Sequence, residues 1–258
     1  MPPARPMPRS RHRDNAGKSA MSWKKHGLLW RIARGQAHAF RVTHPEARCV
    51  LVDMHAGDGA GVDMPQLDLF EPSVSRPSAQ VAVHVARDIG GADVILCEQN
   101  RAKRTQLAAR FPEATIVREH HDVLPYLMRG YDWALVFNDP CGYASHGIDT
   151  LEKIARTVRS DFLIVFNERA LGRLMGMKDV PDKPDPPRVA QVRQVKHRYA
   201  WMMEPAAWAR LVDKPQVARS RMIHASSGFT YRILVLSTTF CQLIKPPLWE
   251  TIACKTSR

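Results

Sequence analysis

Three stretches of the sequence combine residue types and spacings that suit ligand chemistry. Val52-Asp53-Met54-His55-Ala56-Gly57-Asp58-Gly59-Ala60-Gly61 follows an apolar run. It delivers an acid, Asp53, into a turn where Gly57 and Gly59 let the backbone adopt positive φ and approach a ligand closely. Glu98 closes the next apolar run, Val94-Ile95-Leu96-Cys97, with Gln99 beside it, and a strand-end carboxylate can accept from the hydroxyls of a ribose. Phe137-Asn138-Asp139-Pro140-Cys141-Gly142-Tyr143 closes a third. Asn138 and Asp139 are acceptors that can orient an amine N–H and steady positive charge developing on its nitrogen. Tyr143 can stack on a planar base. Each stretch also has a plainer reading: an ordinary strand-to-helix turn, a solvated strand-end acid, an Asn-Asp-Pro turn.

These residues need a frame that brings strand ends together. Cys49–Met54, Val94–Cys97, Thr115–Val117, Trp133–Phe137 and Phe162–Phe166 read as strands, nearly continuous in apolar residues. Between them, helices are expected over Ser78–Ile89 (Ser75 as its cap, Pro77 in its first turn), Arg101–Phe111, Leu124–Met128 and Ile148–Val158. Ser22–Phe40 also reads as a helix. Trp23, Leu28, Leu29, Ile32, Ala33 and Phe40 share its apolar face, Lys24, Lys25, Arg31 and Arg34 fall mostly elsewhere, and Gly27 and Gly35 weaken it. Strand–helix alternation with fully apolar strands predicts an α/β fold whose parallel sheet is covered on both faces. Arg221–Ala225 and Thr230–Thr238 flank Ser226-Ser227-Gly228-Phe229 and read as an antiparallel hairpin. The expected sheet is therefore Rossmann-like, mostly parallel and seven-stranded. Ligands bind such sheets beyond the carboxyl ends of the strands, so the three stretches would face one crevice.

Spacing separates the possible ligands. In dinucleotide enzymes the turn reads GxGxxG and the ribose acid follows about 20 residues later. Here the third glycine, Gly61, comes one residue early, and Glu98 lies roughly twice as far on as that rule places it, beyond a loop over Val62–Val74. The pattern favours S-adenosylmethionine over a nicotinamide dinucleotide, held by Asp53, His55, Ala56, Gly57, Gly59, Glu98 and Gln99. Of His120-His121-Asp122 after the third strand, Asp122 is the candidate acceptor for the adenine amino group.

Charge points to the partner. The net charge is +13 with a pI near 9.9, which favours a polyanion, nucleic acid before a membrane surface. In the first 25 residues seven Lys and Arg face only Asp14. Residues 1–20, rich in Pro, Arg and Ser, read as a disordered basic tail, and 21–258 as the folded domain. Within a basic insertion over 172–214, Arg193, Lys196, Arg198, Tyr199 and Trp201 interleave cations with aromatics, as phosphate contact with base stacking requires; a solvated basic face is the plainer alternative. The five cysteines form no CxxC pair, and His120-His121 lacks partners at ligand spacing, so neither a metal site nor a disulfide framework is expected. The odd cysteine count fits a reducing cytoplasm. No apolar run approaches the roughly 18 residues of a transmembrane helix.

On these residues the chain resembles class I S-adenosylmethionine-dependent methyltransferases. Asp53 to Gly59 is similar to the DxFAGxG motif of amino-methyltransferases acting on adenine, with His55 where phenylalanine is usual. Asn138 to Tyr143 is similar to their (D/N)PPY motif. Cys141 stands for the second proline, Gly142 holds the aromatic position, and Tyr143 comes one residue later. The chain also resembles the three-Cys-motif partner proteins, a methyltransferase-like family often linked with mobile elements and phage. Lys25-His26-Gly27-Leu28-Leu29 resembles their lysine–histidine helix, Asp139-Pro140-Cys141-Gly142 their DPxG-like strand end, and Phe229 to Thr239 their late hairpin. The resemblance implies methylation of an exocyclic amine of a nucleic-acid base, adenine N6 first and DNA slightly before RNA. Asn138, Asp139, Pro140 and Tyr143 would be the catalytic group. The motif departures keep two rivals open: a nucleic-acid-binding protein with a decayed methyltransferase fold, and a methyltransferase of proteins or small molecules.

Overall fold

A computed structural model describes residues 20–60, 77–118, 123–139, 147–167, 217–224, 230–237 and 250–252. The chain enters through α1 (Ala20–Thr43). It then alternates: β1 (Cys49–Asp53), α2 (Ser78–Asp88), β2 (Asp93–Cys97), α3 (Arg101–Arg110), β3 (Thr115–Val117), α4 (Val123–Leu127), β4 (Trp133–Asn138), α5 (Ile148–Thr157) and β5 (Ser160–Asn167). Three strands follow, β6 (Val217–His224), β7 (Thr230–Ser237) and β8 (Glu250–Ile252).

The first five strands form a parallel sheet in the order β3-β2-β1-β4-β5, and β7-β6-β8 continue it. β7 runs antiparallel to β5, β6 to β7, and β8 to β6. The described residues thus give eight strands where seven were expected, because a short segment at Glu250 adds to the β6 edge. β6 also starts at Val217, earlier than the apolar pattern at Arg221 indicated. Alternating Arg219 and Arg221 mask it as a strand in a sequence read by hydropathy.

Period-two alternation sorts the strand side chains onto two cores. Leu51, Leu96, Leu135, Phe137 and Leu163 face one side, under α1, α2 and α3. Val50, Val52, Ile95, Ala134, Val136 and Ile164 face the other, under α4 and α5. Both faces are covered, so β1 and β4 are buried at every position, which is why they lack polar alternation. The edge strand β3 keeps Thr115 exposed.

α1 runs unbroken through Gly27 and Gly35, because packing outweighs their weak propensity. Leu29, Ile32, Ala33, Ala37 and Phe40 bury one stripe, and Phe40 stacks on Trp133 at 4.7 Å between ring centres. Burial of each large side chain of this stripe stabilises by about 1.5–3 kcal/mol. Arg41 then ties the helix end down, donating to the carbonyls of Ile89, Pro45 and Ala47. Contrary to the sequence expectation, Lys25 belongs to the buried side of α1, and His26 is buried beside it. Pro77 is the N-cap of α2, not a first-turn residue, and supplies no side-chain cap; Ser75 lies outside the described residues. Among the described residues no helix is long and apolar enough to cross a membrane, and no group of His, Cys, Asp and Glu is placed to hold a metal ion.

Candidate functional site at the sheet switch point

From β1 the chain winds outward through β2 to β3, then returns to β4 on the other side of β1. The carboxyl ends of β1 and β4 therefore flank the point where strand order reverses, where open α/β sheets leave a crevice. Asp53 pairs with Phe137 across these strands and with Leu96 on the β2 side. Asp53, Glu98 and Asn138-Asp139 consequently end neighbouring strands at one rim.

The glycine turn is built by the backbone. Met54 N donates to Phe137 O, and Ala56 N to Cys97 O, so the chain leaving β1 is stitched to both neighbouring strands. Gly57 and Gly59 have φ of 65° and 64°, a conformation that costs an L residue roughly 1–2 kcal/mol. They differ in surroundings. A Cβ on Gly57 would meet nothing within 4 Å, whereas on Gly59 it would lie 2.6 Å from Phe111 Cε2 and 2.9 Å from Leu107 Cδ2. Gly59 lets the turn press against α3, while Gly57 leaves its side open to a ligand. Gln80 of α2 donates to Gly59 O, and Ala60 N to Asp58 Oδ1.

Asp53 is fully buried, and its Oδ1 accepts from His55 N at 2.9 Å. Its Oδ2 has no hydrogen-bond partner among the described residues. Burial pushes its carboxyl up to about 6, against the pull of Ser78 and the His55 N–H. A buried carboxylate oxygen without a donor is costly, so this atom suits a ligand that brings a donor or a positive charge. Glu98 is half-buried. Its N–H donates to Val117 O, and its Oε1 accepts from Asn100 N at 2.7 Å. Asn100 caps α3, accepting from Ala102 N and Lys103 N. Arg104 holds the carbonyls of Glu98 and Gln99, so the turn after β2 is rigid and Gln99 is exposed.

The β4 end is assembled by side chains from afar. Lys25 Nζ lies 2.5 Å from Asp139 Oδ2, with side-chain exposures of 9% and 16%. Burial alone would push the Asp139 carboxyl up, but the Lys25 ammonium, then His26 and His55, hold it below the ordinary carboxylate range. It is therefore an ionised acceptor at neutral pH. Asn138 is fully buried, and its Oδ1 accepts from His55 Nε2 at 3.1 Å. His26 is buried beside this pair with no partner for Nδ1 among the described residues. Burial, then Lys25, lowers its pKa to about 4, so it stays neutral.

The structure thus brings Asp53, His55, Ala56, Gly57, Gly59, Glu98, Gln99, Asn138 and Asp139 to one rim. Asp122, Pro140 and Tyr143, with Arg193, Lys196, Arg198, Tyr199 and Trp201, lie outside the described residues. Sequence reasoning did not place Lys25, His26 or Ser78 at the site. The available signal was spacing, since 25, 29, 32 and 36 form one helical stripe, and a lysine on a buried stripe requires a carboxylate opposite it.

No protein-family model matches the chain, and no curated protein does. Solved structures do resemble it. A Legionella pneumophila protein from a family of unknown function is 12% identical, with 85% of each chain covered and a TM-score of 0.49. The plantazolicin methyltransferase BpumL, bound to S-adenosylhomocysteine and a desmethyl plantazolicin analogue, is 8% identical, covering 88% of this chain and 92% of its own at a TM-score of 0.47. An O-methyltransferase from Bacillus cereus with S-adenosylhomocysteine is 12% identical, covering 87% and 86% at 0.46. At this depth of likeness, what the chain does has to be argued from its own residues.

Proposed function

We propose that the chain is an S-adenosylmethionine-dependent methyltransferase of the class I type, acting on an exocyclic amine of a nucleic-acid base, adenine N6 in DNA first. The observation that carries this reading is the convergence at one switch point of a positive-φ glycine turn, a buried carboxylate with an orphaned oxygen, a strand-end Glu98 and an ionised Asp139. The cofactor, when bound, supplies an electrophilic methyl group. The Gly57–Gly59 turn, Asp53, Glu98 and Gln99 would hold it, and Asp122 its adenine ring. Asp139 then accepts the N–H of the target amine and turns the nitrogen lone pair toward the methyl. As the nitrogen gains positive charge, the carboxylate stabilises it. A strong base is unnecessary, because the attacking lone pair is present before the proton leaves; the methylated nitrogen then gives that proton to Asp139, which passes it to solvent. Lys25 positions Asp139 and keeps it ionised, while Asn138, buried against His55, acts as a positioning residue. Pro140 and Tyr143 would shape the base pocket, and the basic insertion would grip the polymer.

Two measurements test this. Titration calorimetry should detect adenosylmethionine binding. Incubation with methyl-labelled cofactor, followed by separation of DNA, RNA and protein, should place label in DNA and, after digestion, on N6-methyl-2′-deoxyadenosine. Label found only in protein or small molecules would overturn the substrate assignment. One observation favours a second reading. Lys25 already occupies Asp139 Oδ2, as it would in a nucleic-acid-binding protein that has lost turnover. That reading predicts nucleic-acid binding with no label transferred.

A further inference from the structure

α3 is the most exposed helix of the described core. Leu107 is its single buried residue and Arg104 is half-buried; the other positions face solvent. Arg101, Lys103 and Arg110 stand on this surface, the helix contains no acid, and none of the three forms an ion pair among the described residues. Elsewhere on this face of the sheet, two exposed arginines are matched to carboxylates. Arg34 of α1 meets Asp88, and Arg87 of α2 meets Glu113. Across the same sheet edge, beyond β3, α4 carries Tyr126 at 68% exposure, with the Arg129 guanidinium 5.5 Å from its ring centre. Cations without an ion pair among the described residues, on α3, and an exposed aromatic, on α4, therefore flank the β3 edge from its two faces. α3 itself starts three residues after Glu98, at the crevice rim.

We propose that this α3–β3–α4 edge is the docking surface for a nucleic-acid backbone, with Arg101, Lys103 and Arg110 contacting phosphates and Tyr126 available to a base. The inference rests on the nucleic-acid reading above and adds to it a surface separate from the basic insertion. Charge complementarity selects a polyanion. The absence of large apolar side chains on the exposed face of α3 selects against a membrane, because interfacial helices bury an apolar face in lipid. Unpaired cations are also the ones that gain most from phosphate, since no internal ion pair has to be broken.

The test compares the full chain with two triple variants. One is Arg101→Ala, Lys103→Ala and Arg110→Ala. The other removes the same charge from exposed positions away from the edge, Arg31→Ala, Arg34→Ala and Arg156→Ala. Binding to a fluorescent duplex DNA and to a single-stranded RNA is followed from 50 to 200 mM salt, with adenosylmethionine calorimetry and thermal melting beside it. Each lost duplex phosphate contact should flatten the log–log salt dependence by about 0.9. The α3 variant should therefore bind at least about tenfold more weakly at 100 mM salt with a shallower slope, while the control binds nearly as the parent does and both melt normally. Equal losses in the two variants, or no loss in the α3 variant, would overturn the surface even if cofactor binding and methyl transfer stand. Binding to phosphatidylserine vesicles without binding to either nucleic acid would overturn it in favour of a membrane. Failure of cofactor binding with an intact α3 effect would instead overturn the methyltransferase reading alone.

Discussion

The crevice has two halves built by different means. At the ends of β1 and β2 the side-chain carboxylates are met by local bonds, on turns that the backbone stitches to the neighbouring strands. His55 N meets Asp53, Ala60 N meets Asp58, and Asn100 N meets Glu98, each across two residues of sequence. At the end of β4 they are long-range. Asp139 receives Lys25 from the entry helix, and Asn138 receives His55 from 83 residues earlier. The first half draws its side-chain bonds from short motifs. The Lys25–Asp139 pair in the second exists only once α1 has docked, so the charge state of Asp139 is coupled to folding.

The largest effect should come from breaking the long-range half. Asp139→Ala leaves the Lys25 ammonium buried without its carboxylate, which costs about 3–5 kcal/mol. It should also remove methyl transfer while cofactor still binds. Lys25→Met should destabilise comparably by stranding Asp139, and the double variant should recover much of the loss. Urea unfolding of the four proteins measures the cycle. Additive losses would mean the pair is not the unit described here. Full turnover by Asp139→Ala would remove its assigned role.

Next in size is a pair of opposing pH effects. The folded-state pKa of Asp53 is raised to about 6. Its contribution is fully present below the ordinary carboxylate value of about 4 and is lost as pH rises to about 6. The folded-state pKa of His26 is lowered to about 4. Its contribution is fully present above about 6.5 and is lost as pH falls toward 4. Each displacement corresponds to about 3 kcal/mol, with opposite sign over nearly the same window, so the two largely cancel in the parent. Asp53→Asn should unmask stability that rises with pH between 4 and 6.5, and His26→Gln stability that falls. Denaturation midpoints at intervals across this window would show it. Identical slopes in the two variants would rule out these assignments.

The local half should break more selectively. Gly59→Ala adds a methyl group against Leu107 and Phe111 as well as a left-handed backbone cost, together about 2–4 kcal/mol. Gly57→Ala bears only the backbone cost, about 1–2 kcal/mol, and places its methyl where the ligand is expected. Gly57→Ala should therefore fold well and lose cofactor affinity, while Gly59→Ala loses stability first. Thermal melts with calorimetry separate these outcomes, and equal melting losses would undo the distinction.

Legibility in the sequence followed the same division. Four of the five parallel strands were readable because both their faces are covered, leaving apolar runs such as Trp133–Phe137; the edge strand β3 is short and only partly buried. The glycine turn and Glu98 were readable because residue type and short spacing determine their geometry. Lys25 was misplaced onto the solvent face because hydropathy treats every lysine alike, and only its partner across the fold makes its burial tolerable. Asn138 is an acceptor by type, and the bond its Oδ1 takes from His55 across the fold carries no signal in the sequence. β6 was missed in extent and β8 altogether, because arginines and a three-residue length carry little strand signal.

The smallest effect should fall at the joint between the halves. His55 contributes its backbone N–H to Asp53 in the cofactor half and its ring Nε2 to Asn138 in the other. His55→Phe, the residue usual in the adenine amino-methyltransferase motif, keeps the first contact and deletes the second. It leaves the buried Asn138 Oδ1 without this donor, at a cost of about 1–2 kcal/mol. Cofactor affinity should hardly change, while turnover falls several-fold. His55→Gln, which retains a side-chain N–H, should restore part of that loss. If His55→Phe weakened cofactor binding as much as turnover, the ring would belong to the cofactor half. The crevice would then be one cooperative unit, not a local motif with a fold-dependent acceptor added to it.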